Sequence, residues 1–242
     1  GRVAFGLNLV ISSPCATVTH RAILPERIYL DANVLMPAIV RGHPYRRLYA
    51  DAIDRLAEAA RASNMSLGVF ATEGFLNEII SHRKKGQEEM RSVYLERPGV
   101  LTRHMLYQSA EHANVFVGAY GSQMEESREE VSFEDFLEDV APYESEEQLS
   151  DYLQDRGIGT VPTYFKDDKD VFLYQEMKLA LEKGYEPDNQ FDNQEKVDVL
   201  IEHEARQLTL LKRDLDQGLR SVFVTGDMGL RKVIANSSFR EL

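Results

Sequence analysis

Along the chain, apolar positions alternate between short unbroken runs and stripes at helical spacing, and this alternation is clearest at the two ends. Ile28-Tyr29-Leu30 runs straight into Asp31, followed by Ala32-Asn33-Val34-Leu35. Runs of this length bounded by polar residues predict strands. Pro37 and Gly42-His43-Pro44 then predict a loop. Tyr45–Ala62 predicts a helix, with Leu48, Ile53, Leu56, Ala57 and Ala60 as its apolar stripe and Ser63-Asn64 as its end. Ser66–Phe70 predicts a second strand, and Thr72 an N-cap for a helix from about Glu73 to Met90, with Phe75, Leu76, Ile79 and Ile80 facing inward.

The middle of the chain reads as mainly helical from Arg103 to Asn193. Val115–Tyr120 fits either a strand or a turn of buried helix. Ser122–Arg156 carries thirteen acidic residues against two arginines, with Phe133, Phe136, Leu137 and Val140 at helical spacing. That pattern predicts an amphipathic helix with an acidic outer face, then an acidic loop. Val171–Lys183 predicts another helix and Pro187–Gln190 a loop. Glu195–Leu215 predicts a long amphipathic helix, with Val199, Leu200, Leu208 and Leu211 apolar and Gly218 at its stop. Ser221–Val224 is the last predicted strand, and Thr225-Gly226-Asp227-Met228-Gly229-Leu230 follows at once. Strand–helix alternation at both ends predicts an α/β fold with a central parallel sheet, residues 1–242 forming one domain and 103–193 a mainly helical insertion within it.

Composition narrows the function. The 242 residues carry a formal charge of −12, so bulk attraction does not hold nucleic acid to this chain. Any such role needs a local basic face or a bound cation. The one cysteine, Cys15, excludes an internal disulfide framework and a Cys-based zinc site, which fits a cytoplasmic setting. No window approaches the ~20 apolar residues of a membrane span. The opening Gly1–Ala16 stretch faintly resembles a secretory signal, but it is interrupted by Gly6 and Asn8 and reads rather as an edge strand or an arm preceding the fold.

Candidate chemistry lies in the acids. In open α/β sheets ligands gather beyond the carboxyl ends of the strands, where Asp31 and Asp227 are expected. Glu78 on the second predicted helix and Glu204 on the long helix can join them. Two carboxylates about 4 Å apart repel by about 4 kcal/mol at an effective dielectric near 20, so such a group calls for a compensating cation. Hard divalent ions, Mg²⁺ or Mn²⁺, take oxygen ligands and leave positions for water and phosphate. Metal-assisted phosphodiester hydrolysis is the chemistry that follows.

Taken in order, Tyr29–Leu35, Glu78 within Phe75–Ile80, and Phe223–Leu230 resemble the motifs of PIN-domain nucleases. The resemblance rests on about 120 residues at the two ends. It implies a PIN-like, Rossmann-like three-layer fold and a Mg²⁺- or Mn²⁺-dependent endoribonuclease, as in many toxin–antitoxin toxins and RNA-processing factors. Asp31, Glu78, Glu204 and Asp227 would then be the catalytic, metal-holding acids, with Asn33 and Thr225 in support. The third acid is contested: Asp198 and Glu202 share one helix face and Glu204 lies on another. Expected partners are an RNA substrate, with DNA as the open alternative, an antitoxin or larger complex, and a second copy of the chain. Phosphate contacts are expected from Arg46 and Arg47, with Arg41 nearby, and from Arg83 and Lys84 in the run His82–Lys85. His203 beside Glu204 reads as structural before it reads as a general base.

Two other readings start from the same residues. A degenerate nuclease fold acting as a binding or regulatory module is motivated by the acidic middle segment and the low net basicity. An aspartate-nucleophile phosphatase would also begin at Asp31, but such enzymes use a second Asp where this chain has Asn33.

Overall fold

The computed structural model describes residues 24–43, 46–62, 66–91, 114–126, 131–185 and 194–236. The Gly1–Ala16 stretch, the Ser63-Asn64 helix end and the Pro187–Gln190 loop lie outside them.

Four strands form one all-parallel sheet: β1 Arg27–Leu30, β2 Gly68–Thr72, β3 Ile158–Val161 and β4 Ser221–Val224, in the order β3-β2-β1-β4. The fold is therefore α/β with a parallel sheet. β1 and β4 are in register from Arg27 opposite Ser221 to Leu30 opposite Val224, and Asp31 N–H extends the ladder to the Val224 carbonyl at 3.1 Å. That pairing brings the carboxyl ends of the first and last strands side by side, although nearly 200 residues separate them in sequence.

Around the sheet lie α1 Ala32–Ile39, α2 Arg46–Ala62, α3 Glu73–Glu89, α4 Val115–Glu126, α5 Phe133–Val140, α6 Glu146–Gln154, α7 Asp168–Tyr185, α8 Gln194–Asp216 and α9 Met228–Asn236. The larger core joins Ile28 and Leu30 to α1, α3, α4, α5 and α6. Alternation along β1 sends Arg27 and Tyr29 to the opposite face, where both bond Asp214 on α8. A second core, Met177, Leu181, Ile201, Ala205, Leu208, Leu230 and Val233, binds α7, α8 and α9 together.

Several expectations change. Pro37 lies inside α1 and not in a loop. Its missing N–H leaves one helical bond unmade, which costs stability, but seven of the eight residues of α1 are buried and their packing holds the helix. Leu48 on α2 is exposed, whereas Tyr49 and Ile53 pack against the core. Val115–Tyr120 is helical, and the expected acidic loop contains α6, capped by the Ser145 hydroxyl, which accepts from Gln148 N–H. Phe133, Phe136, Leu137 and Val140 are all buried. The 103–193 region is mainly helical where described, yet it also supplies β3, an outer strand of the sheet. Val199 on α8 is exposed.

The end of α8 shows why the sequence folds as it does there. Gly218 adopts φ +79°, Gly218 N–H bonds the Leu215 carbonyl and Leu219 N–H bonds the Asp214 carbonyl, each at 3.0 Å. This left-handed stop reverses the chain into β4. Below it, Asp214 is 1% exposed and accepts from Arg27, from the Tyr29 hydroxyl at 2.8 Å and from the Ser221 hydroxyl at 2.9 Å. This network locks the amino ends of β1 and β4 to α8. The acids of interest lie at the other end of the same strands.

Candidate active site

Asp31 stands at the carboxyl end of β1 and is 8% exposed. Its backbone carbonyl starts α1, accepting from Val34 and Leu35 N–H, while its side chain makes no capping bond. The side chain is held instead by Thr225, just past β4, and by Asn33 on α1. Oδ2 accepts from the Thr225 hydroxyl at 2.5 Å and from Asn33 Nδ2 at 2.8 Å. Asn33 Oδ1 in turn accepts from Gly226 N–H at 2.9 Å, so this one amide ties the ends of both strands. Thr225 both orients Asp31 and, through Oγ1, accepts from Asp227 N–H at 2.9 Å. Burial raises the Asp31 pKa to about 6. The Thr225 hydroxyl and nearby amides oppose that rise, and the Asp227 charge adds to it.

Asp227 caps α9. Its Oδ1 accepts from Gly229 N–H at 2.6 Å and Leu230 N–H at 3.1 Å, as an N-cap aspartate does. Both bonds use the same oxygen.

Glu204 is the most deeply buried of the four acids considered. It is 3% exposed on α8, and its Oε2 accepts from the Tyr185 hydroxyl at 2.9 Å. Burial raises its pKa to about 9, and the charges of Asp227, Asp31 and Glu78 push in the same direction. Glu204 therefore lies within electrostatic reach of the other three acids, and Asp31 within reach of Asp227. The rivals on α8 sit differently: Asp198 is exposed, and Glu202 pairs with Arg206, which holds its carboxyl below the usual range.

Glu78 on α3 is the outermost member, with its side chain 29% exposed and its Oε1 4.0 Å from His82 Nε2 one turn on. Among the described residues, no three or more Asp, Glu, His or Cys side chains are gathered as a ready metal cluster. Asp31, Asp227 and Glu204 each hold a protein hydrogen bond in the arrangement described.

Tyr185, the last residue of α7, joins these acids without belonging to any sequence motif. Its phenol is half-buried and held well above its ordinary pKa, first by burial, then by Glu204, Asp227 and Asp31. A tyrosine at a helix end carries no signal in sequence alone; only the packing of α7 on α8 and α9 brings it to the acids.

The basic residues divide. Arg46, Arg47, Lys84 and Lys85 are exposed. Arg83 is not a surface contact: it is 5% exposed, Nε donates to the Ala141 carbonyl at 3.2 Å and Nη2 lies 3.5 Å from Glu144. It faces inward on α3 and fastens the turn between α5 and α6, which removes it from the expected phosphate contacts. Arg41 pairs with Asp139. His203 packs against Phe75 and Gly74, where a Cβ on residue 74 would come within 2.8 Å of its ring; burial lowers its pKa. Its role is packing between α8 and the start of α3.

No helix among the described residues is long and apolar enough to cross a membrane. Comparison of the whole chain with protein-family models, curated proteins and solved structures returned no match.

Proposed function

We propose that this chain is a PIN-like, three-layer, divalent-metal-dependent endoribonuclease. The observation that carries the reading is that Glu204 feels the charges of Asp31, Asp227 and Glu78 near the carboxyl ends of β1 and β4, with Asp31 and Glu204 both buried and their pKa values raised. Buried carboxylates that repel one another are stable as anions only beside a positive charge.

The donor set fits a hard cation. It consists of carboxylate oxygens flanked by an amide and a hydroxyl, with no thiolate, the chemistry that suits Mg²⁺ or Mn²⁺. Asp31, Glu204 and Asp227 would hold the ion, with Glu78 at the rim. When bound, it supplies Lewis-acid polarisation of a phosphodiester and of an attacking water. Thr225 and Asn33 keep the Asp31 Oδ2 atom turned toward β4. Exposed Arg46, Arg47 and Lys84 are the proposed backbone contacts, which a chain of charge −12 needs locally. RNA is the proposed substrate, the cytoplasm the proposed setting, and an antitoxin-like protein or a second copy of the chain the proposed partner.

The experiment is incubation of mixed single-stranded and structured RNA with Mn²⁺. Cleavage by the wild type that Asp31→Asn and EDTA both abolish supports the reading; equal cleavage by both proteins, or cleavage that persists in EDTA, overturns it. One observation favours a second reading, a binding module on the same fold: Asp227 Oδ1 already performs the ordinary work of a helix cap. Mn²⁺ titration calorimetry separates the two, since heat from a site lost in Asp227→Asn supports the metal-dependent enzyme.

A further inference from the structure

Tyr185 reaches the acids because of how α7 ends. Gly184 lies so close to α9 that a Cβ there would fall 2.3 Å from Val233 Cγ1, so glycine lets the last turn of α7 press against that helix. The Tyr185 ring then covers Gly229, where a Cβ would sit 3.6 Å from Cε1 and 3.1 Å from Asp227 Oδ1. The hydroxyl donates to Glu204 Oε2 at 2.9 Å. One side chain thus touches the third acid directly and lies beside the glycine whose amide is bonded by the fourth. Its ring also packs against the core shared by α7, α8 and α9.

We infer that Tyr185 is a positioning residue for the divalent cation: its hydroxyl fixes the rotamer of Glu204 by occupying Oε2 and leaves Oε1 as the oxygen offered to the metal. The assignment rests on the proposed metal-dependent reading. A glutamate has three side-chain torsions, and an unrestrained carboxylate must be ordered each time an ion binds. Partners that orient a ligating carboxylate from behind commonly change metal affinity by about 10–100-fold when removed. Tyr185 is suited to that task because it donates one bond from a ring held on two sides, and a phenol at this distance is itself no anion.

The test is Mn²⁺ affinity by titration calorimetry in wild type, Tyr185→Phe, Glu204→Ala and the double variant. Phenylalanine keeps the ring and its packing and removes only the hydroxyl, so thermal melting should stay cooperative and fall by no more than the loss of one hydrogen bond to Glu204. We expect Tyr185→Phe to weaken Mn²⁺ binding by about 10–100-fold. In the Glu204→Ala background the same change should cost nothing more, because the carboxylate that it orients is gone. Wild-type affinity in Tyr185→Phe, or an equal loss in both backgrounds, overturns the assignment. Wild-type protein with no Asp227-dependent Mn²⁺ heat overturns the metal reading, and this inference with it; intact wild-type binding with an unaffected Tyr185→Phe overturns the inference alone.

Discussion

Replacing Glu204 by Gln should stabilise the metal-free protein, and by an amount that grows with pH. The Glu204 pKa moves from 4.5 to about 9 in the fold. A carboxyl with a raised folded pKa binds more protons folded than unfolded, so stability is greatest below the unfolded value and falls as pH rises toward the folded one. Below about pH 4.5 both forms are protonated and the variant gains nothing. Each pH unit above that removes about 1.4 kcal/mol from the wild type, hence about 4 kcal/mol by pH 7.5 if no water enters. Partial hydration of the site brings the expectation to about 2–4 kcal/mol. Gln keeps an oxygen that can accept from Tyr185 and removes the charge. For a chain of this size the gain corresponds to roughly 5–15 °C in Tm. Thermal melts in EDTA at about pH 5 and about pH 7.5 compare the two proteins. A difference that is near zero at the lower pH and large at the higher one fits the account; destabilisation of equal size at both refutes it.

The other end of the sheet makes a contrasting prediction: Asp214→Ala strands the Tyr29 and Ser221 hydroxyls and should cost about 3 kcal/mol in urea unfolding. Gly184→Ala forces a methyl into Val233 and should cost about 1–3 kcal/mol, read by the same assay. Arg83→Ala should lower stability by about 2 kcal/mol, because it leaves the Ala141 carbonyl without its donor, whereas Lys84→Ala should change it by less than about 0.5 kcal/mol. If RNA is the substrate, Lys84→Ala should instead weaken RNA binding in a filter assay and flatten its salt dependence.

What was legible in the sequence was local and repeated. Ile28–Leu30 and Ser221–Val224 are short apolar runs ending in polar residues, and parallel pairing in register then fixes the neighbourhood of Asp31 and Asp227. The α8 pattern was readable because its length averages out single exceptions such as Val199. β3 was not readable: Ile158-Gly159-Thr160-Val161 has four residues, one of them glycine, and its strand identity comes from pairing with β2. Gly159 is needed there, since a Cβ would lie 2.9 Å from the Phe70 ring. Pro37 misled for the opposite reason, as burial outweighed a local rule. Arg83 looked like its neighbours Lys84 and Lys85 because a charge run shows no faces until the helix is placed. Tyr185 was invisible because its meaning lies in a contact between two helices, made at a glycine.

The most direct test of the central claim is anomalous scattering from Mn²⁺ soaked into crystals at neutral pH. A Mn²⁺ peak is expected with oxygens of Asp31, Glu204 and Asp227 at about 2.1 Å and the Tyr185 hydroxyl still on Glu204. Crystals that bind Mn²⁺ elsewhere, or not at all while these three carboxylates keep their present hydrogen bonds, would contradict it.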